Sequence, residues 1–290
     1  MDDNSDRRRP VWPARPLRVV ASAATVTVLL GGCGTGGEKA DEPSPSASAS
    51  ASGPSSGSGS PAASASASSS TGSGSTSLTP FEADPAAVPR TKPQAEALAK
   101  AVALRPEGWG AGFRAQQPAE SAPGTVAVLD EQCRWQRQAL PQGVLASLSL
   151  YSVLPAVKGK GELKVTAAVT VHSTVLDADE QLATTLEEAL RCPVQQVRTD
   201  EQIAKLQSIG TPYGQGGNGY ADDQVLEMGS YLSPDGAQTY RWDVLRLGTV
   251  TVAVSVKGAA GYSVDELTQY MSNGVTAMLS RVQYELGGKS

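Results

Sequence analysis

The sequence has 290 residues, of which 40% are hydrophobic, with a formal net charge of −5 at pH 7. Residues 1–32 contain five Arg and three Asp, so the rest of the chain carries −7 and shows no cluster of Lys and Arg. Nucleic acid and anionic lipid head groups are therefore poor partners for this chain.

The N-terminal segment has the order of a secretory signal peptide. Five Arg between residues 7 and 18 precede the apolar run Val19–Leu30, and the sequence Leu-Gly-Gly-Cys ends at Cys33. The twelve-residue run would make a helix of roughly 18 Å, too short for a hydrocarbon core of about 30 Å. This ending resembles the lipobox of bacterial lipoproteins, which implies that residues 1–32 are removed and that Cys33 is acylated. The alternative is an ordinary signal peptide with a cysteine here by chance.

Residues 33–89 are interpreted as a lipid anchor followed by a disordered tether. Between Pro43 and Thr79 the chain consists almost wholly of Ser, Ala, Gly and Pro. Such a composition cannot bury enough apolar surface to offset the entropy of ordering. About 37 residues of flexible chain have a mean reach of roughly 30–35 Å. We therefore expect the folded domain, residues 90–290, to stand clear of the membrane on its extracytoplasmic face.

Two further cysteines, Cys133 and Cys192, lie in the expected folded domain. In an oxidising compartment outside the membrane an even pair most simply forms a disulfide, and two buried free thiols are the alternative. His172 is the only histidine, and its spacing from the cysteines does not suit a zinc site. We expect neither a metal nor another cofactor.

The first half of the folded domain combines a short helix with two strands. Helical spacing of apolar residues predicts a helix over 94–104, and the Gly- and Pro-rich stretch 105–124 is expected to be an ordered loop whose aromatics cover the core. Strands follow at 144–154 and 163–176. The second alternates apolar and polar residues, which predicts an antiparallel sheet with one solvated face. His172 falls on that polar face, so we expect a solvated rather than a catalytic residue.

The second half alternates helices and strands. A capping-box pattern that begins at Asp177 predicts a helix ending at Cys192, and a shorter helix is predicted over 199–210. Three more strands are predicted, at 224–232, 237–247 and 249–257. A second capping box begins a final helix that ends at Leu286. The order predicts an α+β fold, an antiparallel β-sheet with helices packed on one face.

Residues 208–221, SIGTPYGQGGNGYA, form the most unusual loop of the sequence. Their glycines satisfy G-x-G-x-x-G, but the dinucleotide motif must follow a strand and begin a helix, whereas the predicted order here is the reverse. The loop is either a mobile surface connection or the rim of a ligand cleft. Tyr213 and Tyr220 are the candidate ligand-binding residues, since tyrosines supply rigid contact area. No catalytic motif is recognised, so we expect no enzyme activity.

The last strands and the final helix resemble a known family. Residues 241–258, RWDVLRLGTVTVAVSVKG, and the helix 264–286 look like the end of the PknH-type extracellular sensor domain, which occurs outside actinobacterial Ser/Thr kinases and in free-standing lipoproteins. Cys192 behind an amphipathic helix fits this family. The sequence Cys-Arg-Trp at 133–135 matches a Cys-x-Trp feature of a related lipoprotein family.

This resemblance covers roughly residues 125–286. It implies an antiparallel sheet backed by helices around a cleft, with a sensing role. The kinase sensors carry two disulfides, whereas this domain has cysteines for only one. No ligand residue can be carried over from the family.

Together these features predict a membrane-anchored extracytoplasmic lipoprotein whose non-catalytic domain binds or senses a ligand. The expected partners are the membrane, through the lipid anchor, and a cell-wall ligand or a membrane protein. Two alternatives are left open. One is a wall-modifying hydrolase that uses carboxylates in a cleft, and the other is an adaptor for a membrane partner protein.

Overall fold

The computed structural model describes residues 80–287, all within one compact unit of the chain. The helices in this range are α1 (Lys92–Val102), α2 (Val175–Arg191) and α3 (Val264–Leu286), with a 3₁₀ helix at Pro106–Trp109. The strands are β1 (Arg114–Glu120), β2 (Thr125–Leu129), β3 (Trp135–Ala139), β4 (Val144–Leu154), β5 (Leu163–His172), β6 (Val194–Arg198), β7 (Glu201–Pro212), β8 (Asp223–Ser233), β9 (Gly236–Leu247) and β10 (Val250–Lys257). The predicted signal peptide, Cys33 and nearly all of the predicted tether lie outside the described residues.

Eight of these strands form one antiparallel sheet in the order β1-β4-β5-β10-β9-β8-β7-β6, and β2 and β3 form a separate two-stranded ribbon. The five strands predicted from the sequence are present as β4, β5, β8, β9 and β10. The predicted end of the second strand at residue 176 is wrong, because β5 ends at His172 and α2 begins at Val175 with Thr174 rather than Asp177 as its cap. Alternation in β5 is confirmed, because Val165, Ala167, Val169 and Val171 are fully buried. Val252 of β10 lies directly opposite Val169, so the buried faces of the two strands are continuous.

The main core lies between this valine-rich face and the helices α1 and α3. In α3 the buried side chains recur at helical spacing: Leu267, Met271, Val275, Met278 and Val282. The helix begins as predicted, since the Ser263 hydroxyl accepts from the Glu266 amide and the Glu266 carboxylate accepts from the Ser263 amide. This capping box satisfies two backbone donors that a helix end would otherwise leave unpaired.

The helix α2 lies on the other face of the sheet. Its Leu182 packs with Val225, Val244 and Ala253, whose side chains point away from the main core. The described helices therefore cover both faces, and the prediction that they pack on one face is wrong. The coarser prediction, an antiparallel β-sheet accompanied by helices, is correct.

His172 lies on the polar face of β5, which was predicted to be exposed to solvent. Its side chain is only 2% exposed, because β5 ends at His172 and α2 begins at Val175 and covers that face. Nε2 lies 2.8 Å from Oε1 of Gln181 in α2, and burial lowers the pKa of the imidazole. The expectation of a solvated strand residue is wrong, since the helix supplies a polar partner to a buried polar side chain.

The helix predicted over 199–210 is instead the strand β7, which pairs with β6 and β8. Its register shifts between Ala204 and Gln207, where Lys205 has a φ of 56°. Such a bulge adds one residue to a strand, so Ile203 and Leu206 reach the same apolar cluster. The three-residue spacing of these two apolar side chains is typical of a helix, which explains the wrong prediction.

The stretch predicted as a loop, 105–124, contains the 3₁₀ helix and the edge strand β1. Trp109 is buried in the main core, and its ring centroid lies 6.2 Å from that of Phe113. The covering role expected for these two aromatics is thus confirmed, although the backbone around them is more regular than predicted.

The β2–β3 ribbon is fastened to the sheet by the disulfide between Cys133 and Cys192, whose Cα atoms are 5.5 Å apart. The predicted disulfide is therefore confirmed. Beside it, the amide of Gln196 in β6 donates to the carbonyl of Cys133 at 2.7 Å. Because β2 also contacts β4, the ribbon spans from β4 to β6 over the sheet face that carries α2.

Candidate functional site

A recess of about 200 Å³ lies between the ribbon and the sheet. Strands β4, β5 and β10 form its floor, and β3 and β6 contribute to its walls. The lining side chains that matter here are four cations and two aromatic residues, Arg137, Lys164, Arg198, Lys257, Trp135 and Tyr151. We refer to this site as the basic recess.

Two of the cations lie directly opposite each other on neighbouring strands. Lys164 of β5 pairs with Lys257 of β10, an arrangement of like charges that destabilises a sheet unless it is compensated. Glu201 at the start of β7 provides the compensation. Its Oε1 lies 3.1 Å from Nζ of Lys164 and its Oε2 lies 3.1 Å from Nζ of Lys257.

Glu201 is held in its charged form. Burial by itself would raise the pKa of this carboxyl, but Lys257 and Lys164 outweigh that effect and lower the pKa to about 2. Arg198 lies farther away, with a guanidinium nitrogen 3.7 Å from Oε1. For Lys257 the balance is the opposite, because burial lowers the pKa of the ammonium and Glu201 restores it only in part.

Arg137 of β3 is half-buried in the recess without a carboxylate partner among residues 80–287. Its Nε donates to Oγ1 of Thr125 at 2.9 Å, and a terminal nitrogen donates to Oγ of Ser149 at 3.3 Å. Burial lowers the pKa of this guanidinium, and the nearby Tyr151 offsets part of the effect. The groups of residues 80–287 that accept hydrogen bonds from the Arg137 guanidinium are therefore all neutral.

Trp135 forms one aromatic wall of the recess. Its Nε1 donates to Oε1 of Gln195 at 2.8 Å, and its ring meets Trp242 edge-on with centroids 5.6 Å apart. An indole fixed at both its polar atom and its ring offers a rigid apolar surface to a ligand.

A second, smaller recess of about 120 Å³ lies between α1 and β4, on the opposite side of the sheet. Its lining mixes Glu96, Lys100 and Glu120 with Leu140 and Leu148. Because the lining contains charges of both signs as well as apolar side chains, it indicates no particular class of ligand.

The predicted ligand-binding tyrosines, Tyr213 and Tyr220, line neither recess. Tyr220 is 44% exposed and its hydroxyl donates to Oε1 of Gln224 at 3.4 Å. The hydroxyl of Tyr213 is buried without a hydrogen-bond partner among residues 80–287. Buried Asn218 holds the loop together, since its amide donates to the carbonyl of Thr211 at 3.0 Å. A ligand role for the two tyrosines stays a prediction.

Three carboxyl groups have a raised pKa, and none of them lines the basic recess. Burial raises the pKa of Asp243 in β9 to about 6, and the other two groups face each other between α2 and the sheet. Glu227 of β8 is 1% exposed, and burial together with the nearby Glu188 of α2 raises its pKa to about 7. Burial likewise raises the pKa of Glu188 to about 7. The adjacent acids Asp222 and Asp223 instead pair with Arg246.

No cluster of three or more His, Cys, Asp or Glu suited to a metal ion occurs in residues 80–287. Within that same range no helix is long and apolar enough to cross a membrane.

Comparison with known proteins gives little beyond these observations. No family model and no curated protein matches the sequence. One similar solved structure is the extracellular domain of PknH from Mycobacterium tuberculosis, with 13% identity, a TM-score of 0.39, and coverage of 64% of this chain and 97% of that one. At that TM-score the likeness carries no argument for this chain.

The basic recess was not predicted from the sequence, because its cations are far apart in the chain. A partial signal was present, since strand alternation places Lys164 on the polar face of β5 and Lys257 ends β10. Nothing in the sequence indicated that these two lysines would face each other, or that Arg137 and Arg198 would join them.

Proposed function

We propose that this chain is a lipid-anchored extracytoplasmic lipoprotein whose folded domain binds a small ligand in the basic recess without catalysing a reaction. The sequence at Cys33 supports the anchor, since it has small residues before a cysteine after a short apolar run. The disulfide between Cys133 and Cys192 supports the location, because such bonds persist in oxidising compartments.

The observation that carries the proposal is the recess itself. It is concave, it is lined mainly by polar and charged side chains together with two aromatic rings, and strands rather than loops hold those side chains. Small-molecule sites are likewise concave and largely pre-formed, and precisely placed polar groups fix the orientation of the ligand. The disulfide adds rigidity, since it fixes the ribbon that forms one wall.

The pKa values and the burial of the carboxyl groups favour binding over catalysis. Glu201, the carboxylate beside the recess, has a pKa lowered to about 2, which makes it a poor base at neutral pH. The hydrolase alternative would use carboxyl groups with a raised pKa, which are Glu188, Glu227 and Asp243. Asp243 is only 4% exposed. Glu227 is almost fully buried beneath α2, where a wall polymer has no access.

Blocking the recess tests the binding function. Ala127 of β2 is exposed and lines the recess, so Ala127→Trp should fill it from the rim while the fold is kept. Gln138→Trp is the matched control, because Gln138 is exposed on the neighbouring strand β3 and alternates with Arg137. The full mature chains would be incubated with cell-wall extract, and the captured small molecules would be identified by mass spectrometry.

We expect wild type and Gln138→Trp to retain the same compound and Ala127→Trp to lose it. Equal capture by all three proteins would contradict a ligand site in the recess. The anchor is tested separately by Cys33→Ala, which should shift the protein from the detergent phase to the aqueous phase. A cleaved mutant that stays with the membrane would refute lipid attachment.

A further inference from the structure

We propose that the basic recess binds an oxyanion, and specifically the phosphoryl group of a small ligand, with Arg137, Lys164 and Lys257 as its direct contacts. This inference rests on the proposed function, because it assigns the ligand chemistry of the same site. The recess concentrates positive charge, although the net charge of the whole chain is negative.

The formal charges around the recess favour a doubly charged anion. Arg137, Lys164, Arg198 and Lys257 contribute four positive charges, and Glu201 is the carboxylate that pairs with the last three of them. A surplus of three positive charges persists in a protein whose formal net charge is −5. A dianion compensates more of this surplus than a carboxylate does.

Glu201 shows how an anion can be held at this position. Each of its two oxygens lies 3.1 Å from a different lysine nitrogen. An ammonium group has three donors, so Lys164 and Lys257 keep donors that Glu201 does not use. A phosphoryl oxygen can therefore join the two lysines without displacing Glu201.

Arg137 provides the strongest argument that the cluster does more than stabilise the sheet. A guanidinium has five N–H donors, and three of them are engaged by Thr125 and Ser149. Both partners are neutral, and Arg137 takes no part in the ion pairs of Glu201. A half-buried charge without a counterion is costly, and an oxyanion in the recess would supply the missing partner.

Size and shape agree with a phosphorylated small molecule. The volume of about 200 Å³ is far above the roughly 10–15 Å³ that a single water needs, so the recess has room for a phosphoryl group and part of the molecule that carries it. Trp135 and Tyr151 line the remaining space, so the part of the ligand that carries the phosphoryl group can pack on aromatic rings.

Calorimetric titration of the full mature chain with inorganic phosphate tests this assignment. We expect Arg137→Gln and Lys164→Gln each to weaken binding by about tenfold, since each removes one charge-assisted contact. Lys92→Gln is the matched control, because Lys92 is an exposed cation in α1 on the opposite side of the sheet, and its affinity should equal that of wild type. Arg198→Gln, which alters a largely exposed side chain and should fold normally, is expected to weaken binding less.

Glu201→Gln separates an anion site from a purely structural ion-pair network. The change leaves two facing lysines without a counterion, so Tm should fall, and phosphate should raise Tm more in this variant than in wild type. A fall in Tm that phosphate does not reverse would overturn the proposal. So would phosphate affinity that is unchanged in folded Arg137→Gln, or the absence of phosphate binding by wild type.

Two further arms distinguish the source of the phosphoryl group. Glycerol 3-phosphate represents a soluble ester, and vesicles that contain phosphatidic acid represent a lipid head group. Binding that is lost in Arg137→Gln supports the assignment in either arm, and the stronger arm identifies the source. If Ala127→Trp abolishes capture from wall extract while no phosphate compound binds, ligand binding stands and the phosphoryl assignment falls.

Discussion

The most specific stability prediction concerns Glu227, because its carboxyl is buried with few interactions that would stabilise a negative charge. Oε1 accepts a hydrogen bond from Ser208 of β7 at 3.3 Å, and Oε2 has no partner among residues 80–287. The titratable groups that influence it are Glu188 of α2 and Tyr240 of β9. No cation is among these neighbours, so the charged form of Glu227 is disfavoured.

The sign and size of the pH effect follow from the raised pKa. In the folded protein the pKa of Glu227 rises from 4.5 to about 7. The folded state therefore binds a proton more tightly than the unfolded state, and stability falls as pH rises through this interval. At about 1.4 kcal/mol for each pH unit, the full loss above pH 7 is about 3 kcal/mol.

Glu227→Gln removes the charge and keeps the shape. Urea unfolding should show little difference between this variant and wild type near about pH 5, and a stabilisation of about 2–3 kcal/mol near about pH 9. Part of this stabilisation comes from Glu188, because the substitution removes the negative charge of Glu227 beside it. Glu187→Gln is the control, since Glu187 is an exposed acid on the same helix. A pH profile of Glu227→Gln parallel to that of wild type would refute the reasoning.

Three further predictions concern other parts of the fold. Replacing Cys133 and Cys192 by Ser together should lower the free energy of unfolding by about 4 kcal/mol in urea, and an unchanged midpoint would mean that the bond adds nothing. Gly274→Ala places a Cβ 2.5 Å from Cζ3 of Trp109. It should destabilise by about 1–3 kcal/mol in calorimetry, whereas the exposed neighbour Asn273→Ala should change little. The ligand role predicted for Tyr213 and Tyr220 is an alternative to the basic recess, because neither side chain lines it. Loss of capture in Tyr213→Ala or Tyr220→Ala with Tm nearly unchanged would support that alternative, and capture equal to wild type would mean that the loop is only a connection.

The parts of the fold that the sequence predicted are those where local pattern and tertiary environment agree. The valines of β5 and β10 alternate strictly and are buried on one face. The final helix has a capping box at Ser263 and an apolar stripe, and both are present in α3. In these elements each residue's own preference coincides with its burial, so propensity needs no correction from the rest of the chain.

The errors arise where long-range structure overrides local pattern. The bulge at Lys205 gave β7 the spacing of a helix. The edge strand β1 has almost no buried side chain, so its sequence lacked the apolar alternation by which strands are recognised. His172 was assigned to solvent because a polar strand face gives no indication that a helix will cover it.

The basic recess could not be predicted from the sequence for a related reason. Its cations come from β3, β5, β6 and β10, and only the strand order of the sheet brings β5 and β10 together. The ribbon then adds Arg137, and the disulfide at Cys133 fixes the ribbon four residues before that arginine. A stable sheet alone would gain more from neutral or oppositely charged side chains at the facing positions Lys164 and Lys257. Glu201 offsets part of the charge of these lysines, and Arg137 has no carboxylate partner among residues 80–287. The proposed anionic ligand would therefore complete the charge balance of the recess.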